Sequence, residues 1–200
     1  MSPTVPTCSI LLLSGGRGQR MGGRDKGLLD WRGQPLIAHL QALTRPITDD
    51  LIISCNRNQD RYAAYADHLV GDAEAHFPGP LAGILAGLAR ARHERLLVLP
   101  CDAPSLDTQL LQELLAAAAQ APQRPLMIRQ AEQWQPLFCV LPKSLHGPLL
   151  TCWNHGERSP LRAMLKLEAL AYPCAPNDPR LTNLNTPELL AERPTPPSAD

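Results

Sequence analysis

The apolar positions of this chain form short, nearly continuous runs that alternate with longer segments of helical composition. Three of the runs span residues 9–13, 51–55 and 95–99. Runs of this length and continuity are typical of strands buried on both faces, as in a parallel sheet. The segments between them, 35–43 and 81–91, have the composition of helices. The alternation predicts an α/β fold with a doubly wound, mostly parallel sheet and helices on both faces.

The second half of the chain is less regular but continues the same theme. Its predicted strands are 126–129, 134–140 (antiparallel to its neighbours) and 169–174, and its predicted helices are 107–119, 142–152 and 160–167. Pro35 and Pro80 stand where the first turn of a helix tolerates proline. Thr186 and Pro187 predict the N-cap and first position of a last short helix. The proline-rich residues 194–200 are expected to form a disordered tail.

Composition restricts the classes of partner. The chain has 200 residues, within the range of a single domain, and its 19 basic and 19 acidic side chains cancel. A zero net charge gives no long-range field toward nucleic acid or a membrane surface, and the aromatic content of 4% argues against stacking on single-stranded nucleic acid. We therefore expect neither nucleic acid nor membrane as a partner.

Targeting signals and cysteine spacing point to the cytoplasm. The N-terminus lacks a basic region followed by a long apolar stretch, and no apolar run approaches the length of a membrane span. The six cysteines are scattered singly, without any C-x-x-C pair. Such spacing predicts reduced core thiols in a cytoplasmic protein rather than a metal site.

The loop that follows the first predicted strand carries the clearest chemistry. It reads LSGGRGQRMGGRDKG over residues 13–27. Glycines let backbone N–H groups approach an anion, and the Arg20 and Lys26 side chains can neutralise its remaining charge, which is how polyphosphate is wrapped. Gly27 stands where a P-loop needs Ser or Thr, and Met21 breaks a G-x-G-x-x-G register. The loop predicts a phosphate site of another kind.

Polar residues also follow the other predicted strands. Asn56 comes after the second run, Asp72 after the short apolar pair 69–70, and Asp102 after the run at 95–99. Ligands of such sheets bind beyond the carboxyl ends of the strands, and a carboxylate there can hold a hard cation together with phosphate oxygens. Each residue has a structural alternative: Asn56 as a helix cap, Asp102 as a helix cap or a turn residue, and Asp72 as a turn former.

The histidines show neither metal-ligand spacing nor a catalytic-triad companion. The sequence also offers no convincing nucleophile and base pair. Phosphoryl-type transfer needs none, because positioning and electrostatics supply its catalysis.

These residues together resemble the molybdenum cofactor guanylyltransferases, which are nucleotidyltransferases with a Rossmann-like sheet. The pattern L-x-G-G-x-x-x-R-M-G, followed shortly by Lys, is typical of the superfamily, and DKG with the later NLNTP narrows it to this family. The resemblance covers about residues 9–191. The matching segments are LSGG at 13–16, RMGG at 20–23, DKGL at 25–28, GQPLI at 33–37, CNR at 55–57, Asp72, GPLAGI at 79–84, PCDAP at 100–104, QPLF at 135–138 and NLNTPE at 183–188. Ser14 stands where the family often has Ala, and a small residue is kept.

The resemblance implies transfer of GMP from GTP to the terminal phosphate of molybdenum-bearing molybdopterin, with release of pyrophosphate. It also implies one nucleotidyltransferase domain over residues 1–193, with a GTP half at about 8–105 and a pterin half at about 106–193. The family pattern assigns residues as follows: GTP contacts from Leu13, Ser14, Gly15, Lys26, Asn56, Asp72 and Asp102; catalysis by Arg20, Lys26 and Asp102; Mg²⁺, or Mn²⁺ in its place, on Asp102; and the pterin side near Arg158, Asn183 and Asn185. The implied substrates are GTP and the molybdenum-bearing pterin. The implied protein partners are those that deliver the pterin and those that mature molybdoenzymes, both in transient contact, and the protein itself is expected to be a monomer.

Purine selectivity depends on a few hydrogen bonds that spacing does not reveal, so alternatives stay open at this point. A cytidylyltransferase for the same pterin and a sugar-phosphate nucleotidyltransferase are the close ones. A nucleotide sensor without turnover is the alternative from a different class. It predicts erosion of the metal carboxylate or of the phosphate cations, and the sequence keeps both.

Overall fold

The computed structural model describes residues 8–14, 25–71 and 79–184. The strands within these ranges are β1 (Ser9–Leu13), β2 (Asp30–Trp31), β3 (Gln34–Pro35), β4 (Leu51–Ser54), β5 (His68–Val70), β6 (Arg95–Pro100), β7 (Leu126–Gln130), β8 (Gln133–Pro142) and β9 (Leu170–Cys174). The α-helices are α1 (Leu36–Thr44), α2 (Gln59–Tyr62), α3 (Pro80–Arg90), α4 (Thr108–Ala119), α5 (His146–Asn154) and α6 (Pro160–Lys166). The predicted helix at 186 and the predicted tail lie outside the described residues.

Seven of the strands form one sheet in the order β5-β4-β1-β6-β8-β7-β9. β1 pairs in parallel with both β4 and β6, and β4 with β5 and β7 with β9 are also parallel. Only β8 runs the other way, since it is antiparallel to β6 and to β7. The predicted doubly wound, mostly parallel sheet is confirmed, including the antiparallel strand.

The sheet is buried on both faces because alternate residues of each strand point to opposite layers of helices. Ile10 and Leu12 of β1 belong to the core that includes α1 and α4, whereas Leu11 belongs to the core that includes α3, α5 and α6. Gly87 of α3 makes this packing close, because a Cβ there would stand 2.6 Å from the Leu11 side chain. This two-sided burial explains why the strands read as continuous apolar runs.

A buried carboxylate ties the strands together at the edge where they begin. Asp50, just before β4, is fully buried. Its carboxylate accepts hydrogen bonds from the Ser9 hydroxyl at 2.5 Å and from the Arg92 backbone N–H at 2.8 Å, and the Arg92 side chain lies 3.4 Å away. Asp50 thus joins the starts of β1 and β4 to the turn that leads into β6.

Two predicted helices start later than expected. Pro35 does not open α1, because it pairs with Asp30 in the β2–β3 hairpin and has an extended backbone. Pro142 is the last residue of β8, where it pairs with Arg95, and a 3₁₀ turn at Lys143–Leu145 separates it from α5. In both places strand pairing extends into the predicted helix. Pro80 does occupy the first turn of α3.

None of the helices among the described residues is both long and apolar enough to cross a membrane. All six cysteines are free; Cys8, Cys55, Cys101 and Cys139 are buried, and Cys152 and Cys174 are partly buried.

Candidate active site

The order of the strands fixes where a ligand can bind. From β1 the chain builds outward through β4 and β5, and it then returns to the other side of β1 with β6. Crevices in open α/β sheets form at such a reversal, beyond the carboxyl ends of the strands. Here the flanking ends are Leu13 and Pro100, which are paired in register, and the Cys101 N–H donates to the Leu13 carbonyl at 3.1 Å.

Lys26 and Asp102 meet at this crevice. The Lys26 ammonium donates to Asp102 Oδ2 in a short ion pair between residues that are 76 positions apart. The two side chains are 22% and 11% exposed, so a ligand can still reach them. The structure therefore places the predicted phosphate cation against the predicted metal carboxylate, as parts of one site.

The residue before Lys26 is held by a dense set of contacts. The Asp25 carboxylate is 7% exposed. It accepts hydrogen bonds from the Tyr62 hydroxyl at 2.5 Å and from the Asn58 amide at 2.8 Å, and Arg57 Nε lies 3.6 Å away. These donors come from the β4–α2 connection and from α2. The connection that carries Asn56 is thus joined directly to the Lys26 segment.

Tyr62 also lies against the residue after Lys26. It is fully buried, and a Cβ added at Gly27 would stand 2.5 Å from its hydroxyl and 3.1 Å from the Ser14 hydroxyl. Burial raises the pKa of Tyr62, so the phenol keeps its proton and acts as a donor. Only a glycine fits between Ser14 and Tyr62 at this point.

The Cys101 thiol and the Ser14 hydroxyl lie at the base of the crevice. Burial raises the pKa of the Cys101 thiol to about 12, which keeps it neutral beside Asp102. The Ser14 hydroxyl is buried beside the Tyr62 hydroxyl and the Cys101 thiol.

A segment from far along the chain closes one side of the site. The Leu184 N–H donates to the Asp102 carbonyl at 2.8 Å, and the Leu184 side chain packs with Trp31 and Leu36. The neighbouring Asn183 has its carboxamide oxygen buried without a partner among the described residues. The structure thus brings the backbone beside Asn183, predicted on the pterin side, to the backbone of Asp102, the predicted metal ligand.

Arg158 is held elsewhere along the same edge of the sheet. Its guanidinium stacks 3.7 Å over the Trp153 ring and donates to the Trp153 carbonyl at 2.7 Å, at the end of α5. Its own carbonyl would be 3.9 Å from a Cβ at Gly79, which precedes α3. Arg158 therefore lies near the N-terminal end of α3 rather than on the Lys26–Asp102 pair.

Of the remaining predicted site residues, one lies within the described ranges and four lie outside them. Asn56 follows β4, and its carboxamide oxygen would lie 3.6 Å from a Cβ at Gly71, which places it between the ends of β4 and β5. The other predicted residues, Gly15, Arg20, Asp72 and Asn185, lie outside the described residues.

The residues of the site suit a hard cation that takes only one or two of its ligands from the protein. Over the described ranges, no three or more His, Cys, Asp or Glu side chains form a group that could hold a metal. Mg²⁺ commonly takes one or two carboxylates and completes its shell with water and phosphate oxygens. Asp102, whose side chain is 11% exposed and already faces a cationic group, fits this mode.

Sequence reasoning missed Tyr62 and Asn58. They lie around a four-residue helix, too short to show helical periodicity, and Asn58 has the positive φ of 54° that asparagine tolerates. Asn58, a residue type common in turns, was the available signal in the sequence. Nothing in the sequence indicated that both side chains reach Asp25.

Comparison with known proteins gives consistent matches along the chain. The model of the MobA-like NTP transferase domain matches residues 10–170. The molybdenum cofactor guanylyltransferase of Pseudomonas paraeruginosa (strain DSM 24068 / PA7) is 64% identical over 188 residues, which are 94% of this chain and 95% of the relative. The enzyme of the same name from Pseudomonas fluorescens (strain Pf0-1) is 60% identical over 191 residues, or 96% of each chain.

Solved structures share the fold at lower identity. Molybdopterin-guanine dinucleotide biosynthesis protein A from Archaeoglobus fulgidus matches with a TM-score of 0.76 and 21% identity, over 91% of this chain and 94% of the other. The 2-C-methyl-D-erythritol 4-phosphate cytidylyltransferase from Thermus thermophilus matches with a TM-score of 0.69 and 12% identity, over 92% and 95%. The sheet and its helices are therefore shared with proteins whose names point to different nucleotides.

Proposed function

Because this chain belongs to the MobA-like NTP transferase family, we propose that it transfers GMP from GTP to the terminal phosphate of molybdenum-bearing molybdopterin. The products are the guanine dinucleotide cofactor and pyrophosphate. The observation that carries this function is the 60–64% identity, over at least 94% of this chain, to relatives named molybdenum cofactor guanylyltransferase.

The reaction exchanges one bond to phosphorus for another. An oxygen of the pterin's terminal phosphate forms a bond to the α-phosphorus of GTP, and the bond from that phosphorus to the bridging oxygen of pyrophosphate breaks. The electron pair leaves with pyrophosphate. Two anions must approach each other, so charge repulsion is the main barrier and fixed cations are the main remedy.

We assign the charge-neutralising roles to the crevice at the ends of β1 and β6. Lys26 is to stabilise the charge that builds on pyrophosphate, together with Arg20 and the backbone N–H groups of the glycine-rich loop. Asp102 is to hold Mg²⁺, or Mn²⁺ in its place; when bound, the ion supplies Lewis acidity and a template for phosphate oxygens. The Lys26–Asp102 pair supports both roles, because the two groups face the same point.

The contacts to the two substrates are assigned on the same basis. Leu13, Ser14 and Gly15 at the end of β1, with Asn56 and Asp72 after β4 and β5, are to bind GTP. Support comes from the place of Leu13 and Ser14 at the carboxyl end of β1, where ligands of such sheets bind.

Asn183, Asn185 and Arg158 are to face the pterin. Asn183 is supported by its neighbour's bond to Asp102, and Arg158 by its place near the start of α3.

The proposal extends to the setting of the reaction. We assign the protein to the cytoplasm as a monomer, in transient contact with proteins that deliver the pterin and mature molybdoenzymes. Free cysteines throughout the sheet suit a reducing compartment.

A direct test compares GTP, CTP, ATP and UTP with the molybdenum-bearing pterin as acceptor and Mg²⁺ present, and measures pyrophosphate release. We expect release with GTP, and at most slow release with the other three. Preference for CTP would replace the function by cytidylyl transfer to the same pterin. GTP binding in a calorimeter without pyrophosphate release would contradict catalysis, and activity with a sugar phosphate but not the pterin would contradict the acceptor.

A further inference from the structure

We infer that Tyr62 is a positioning residue that fixes Lys26 against Asp102 by holding both chain neighbours of Lys26. The inference rests on the proposed GMP transfer and adds to it a residue from α2. A search of the sequence for phosphate-binding residues would not select Tyr62. Tyr62 touches no reacting group itself. Its action passes through Asp25 on one side and Gly27 on the other.

The contact with Asp25 is a hydrogen bond to a nearly buried carboxylate. The Tyr62 hydroxyl donates to Asp25 Oδ1 at 2.5 Å, while Oδ2 takes the Asn58 amide at 2.8 Å. Arg57 adds an opposite charge at 3.6 Å. Hydrogen bonds to an ionised acceptor are shorter and stronger than neutral ones, so this carboxylate has one well-defined position.

The contact with Gly27 is steric. The space where a Cβ would stand is occupied by the Tyr62 hydroxyl, 2.5 Å away. Backbone and phenol are therefore packed as closely as glycine permits. Residues 25 and 27 are both held by one oxygen atom, and the residue between them has little freedom to shift.

This double hold matters because of the length and charge of the Lys26 side chain. A lysine is a flexible four-carbon stem whose ammonium position depends on where its backbone is anchored. Its partner, Asp102, is fixed independently at the end of β6 by the bond between its carbonyl and Leu184. Positioning of the Lys26 backbone by Tyr62 therefore decides whether the ammonium meets the reacting phosphates.

The test is Tyr62→Phe in the full chain, which removes one oxygen atom and keeps the ring. We expect kcat for GMP transfer to fall by about 10-fold to 100-fold, as a small misplacement of a group that acts on the reacting atoms does. KM for GTP should change less than kcat, because the loss is felt mainly in the transition state. Tyr172→Phe is the matched control: its hydroxyl bonds to Glu113 at 2.9 Å, between β9 and α4, and its removal should leave kcat unchanged.

A second measurement follows the lysine itself. The chain has three lysines, Lys26, Lys143 and Lys166, so the side-chain ¹⁵Nζ resonances can be resolved by NMR. We expect the Lys26 resonance to move in Tyr62→Phe, while those of Lys143 and Lys166 stay in place. Tyr172→Phe should leave all three unchanged. This readout needs no turnover and would still report on the positioning if the proposed reaction were wrong.

Asn58→Gly covers the case in which Tyr62→Phe does not fold. Glycine adopts the positive φ of Asn58 without strain, and the substitution removes only the amide that donates to Asp25. A lower kcat with a shifted Lys26 resonance, in either variant, supports the inference. Wild-type kcat and an unmoved Lys26 resonance in a folded Tyr62→Phe, or in Asn58→Gly where the first variant is unfolded, overturn it. An inactive wild type would instead contradict the proposed function.

Discussion

At the scale of single residues, the site is defined by one pair of opposite charges. Lys26 and Asp102 come from loops on the two strands that flank the reversal in strand order, and they meet because β1 and β6 are adjacent. A largely buried ion pair of this kind adds little net stability, because the cost of taking both charges out of water offsets their attraction. Its position at the crevice makes it more important for ligand binding than for folding.

A double-mutant cycle separates these contributions. Lys26→Ala and Asp102→Ala should each lower kcat/KM for GMP transfer by about 100-fold or more, since each removes a fixed charge from the reacting phosphates. The double variant should lose less than the product of the two, because the groups act at one point. Pyrophosphate release measures the kinetics, and circular dichroism should show an intact fold throughout.

Lys143→Ala, which removes a lysine from the turn after β8, is the matched control and should behave as wild type. Near-normal turnover of Asp102→Ala would remove that carboxylate from the metal role.

At the scale of elements, the sequence predicted what depends on long-range hydrophobic burial. The strands β1, β4 and β6 are buried on both faces, so their apolar runs identified them within one or two residues. The helix α2 and the β2–β3 hairpin escaped notice, because four or two residues show no periodicity. Pro35 and Pro142 were misassigned to helices, because the composition around them does not reveal that Pro35 pairs with Asp30 and Pro142 with Arg95.

The same division applies to the candidate site. Lys26 and Asp102 were predicted from residue type and from their places after strands. The contact of Tyr62 with Asp25 could not be predicted, because it joins residues 37 positions apart through a short helix.

The loop between α5 and α6 has a stability that depends on pH. Hydrogen bonds from Arg162, with those from the Ser159 and Arg158 backbone N–H groups, lower the pKa of Glu157 to about 2 from 4.5. The folded form therefore binds this proton less readily than the unfolded chain. The stabilisation by Glu157 is fully present above pH 4.5 and is lost as the pH falls toward 2.

Glu157→Gln should lower the thermal midpoint at neutral pH, and the difference from wild type should shrink as the pH falls from 4.5 toward 2. Thermal unfolding followed by circular dichroism at several pH values measures this. Glu132→Gln is the control, because the Glu132 side chain is 89% exposed and its removal should leave the midpoint unchanged. A difference that grows toward low pH would contradict the assignment.

At the scale of the whole molecule, the cysteines report on the integrity of the sheet. Cys8 precedes β1, Cys55 and Cys101 follow β4 and β6, and Cys139 lies within β8. All four are buried, and burial raises the pKa of Cys8 to about 12 and that of Cys55 to about 11. A thiol that is buried and protonated reacts slowly.

Titration with a thiol reagent should therefore label two positions in the native protein, Cys152 and Cys174, and all six after unfolding in urea. Cys152 should react faster than Cys174, whose pKa is raised by burial. Mass spectrometry of labelled peptides identifies the sites. Rapid labelling of Cys139 in the native protein would show that the sheet opens at β8.

The bond from Leu184 to Asp102 has a consequence for synthesis. Chains leave the ribosome from the N-terminus, and the strands from β1 to β6 emerge before residue 184 does. Until then, the surface formed by Trp31 and Leu36 lacks the side chain that covers it, and the Asp102 carbonyl lacks its donor. The finished crevice, and with it the substrate site proposed above, therefore requires that Leu184 has left the ribosome.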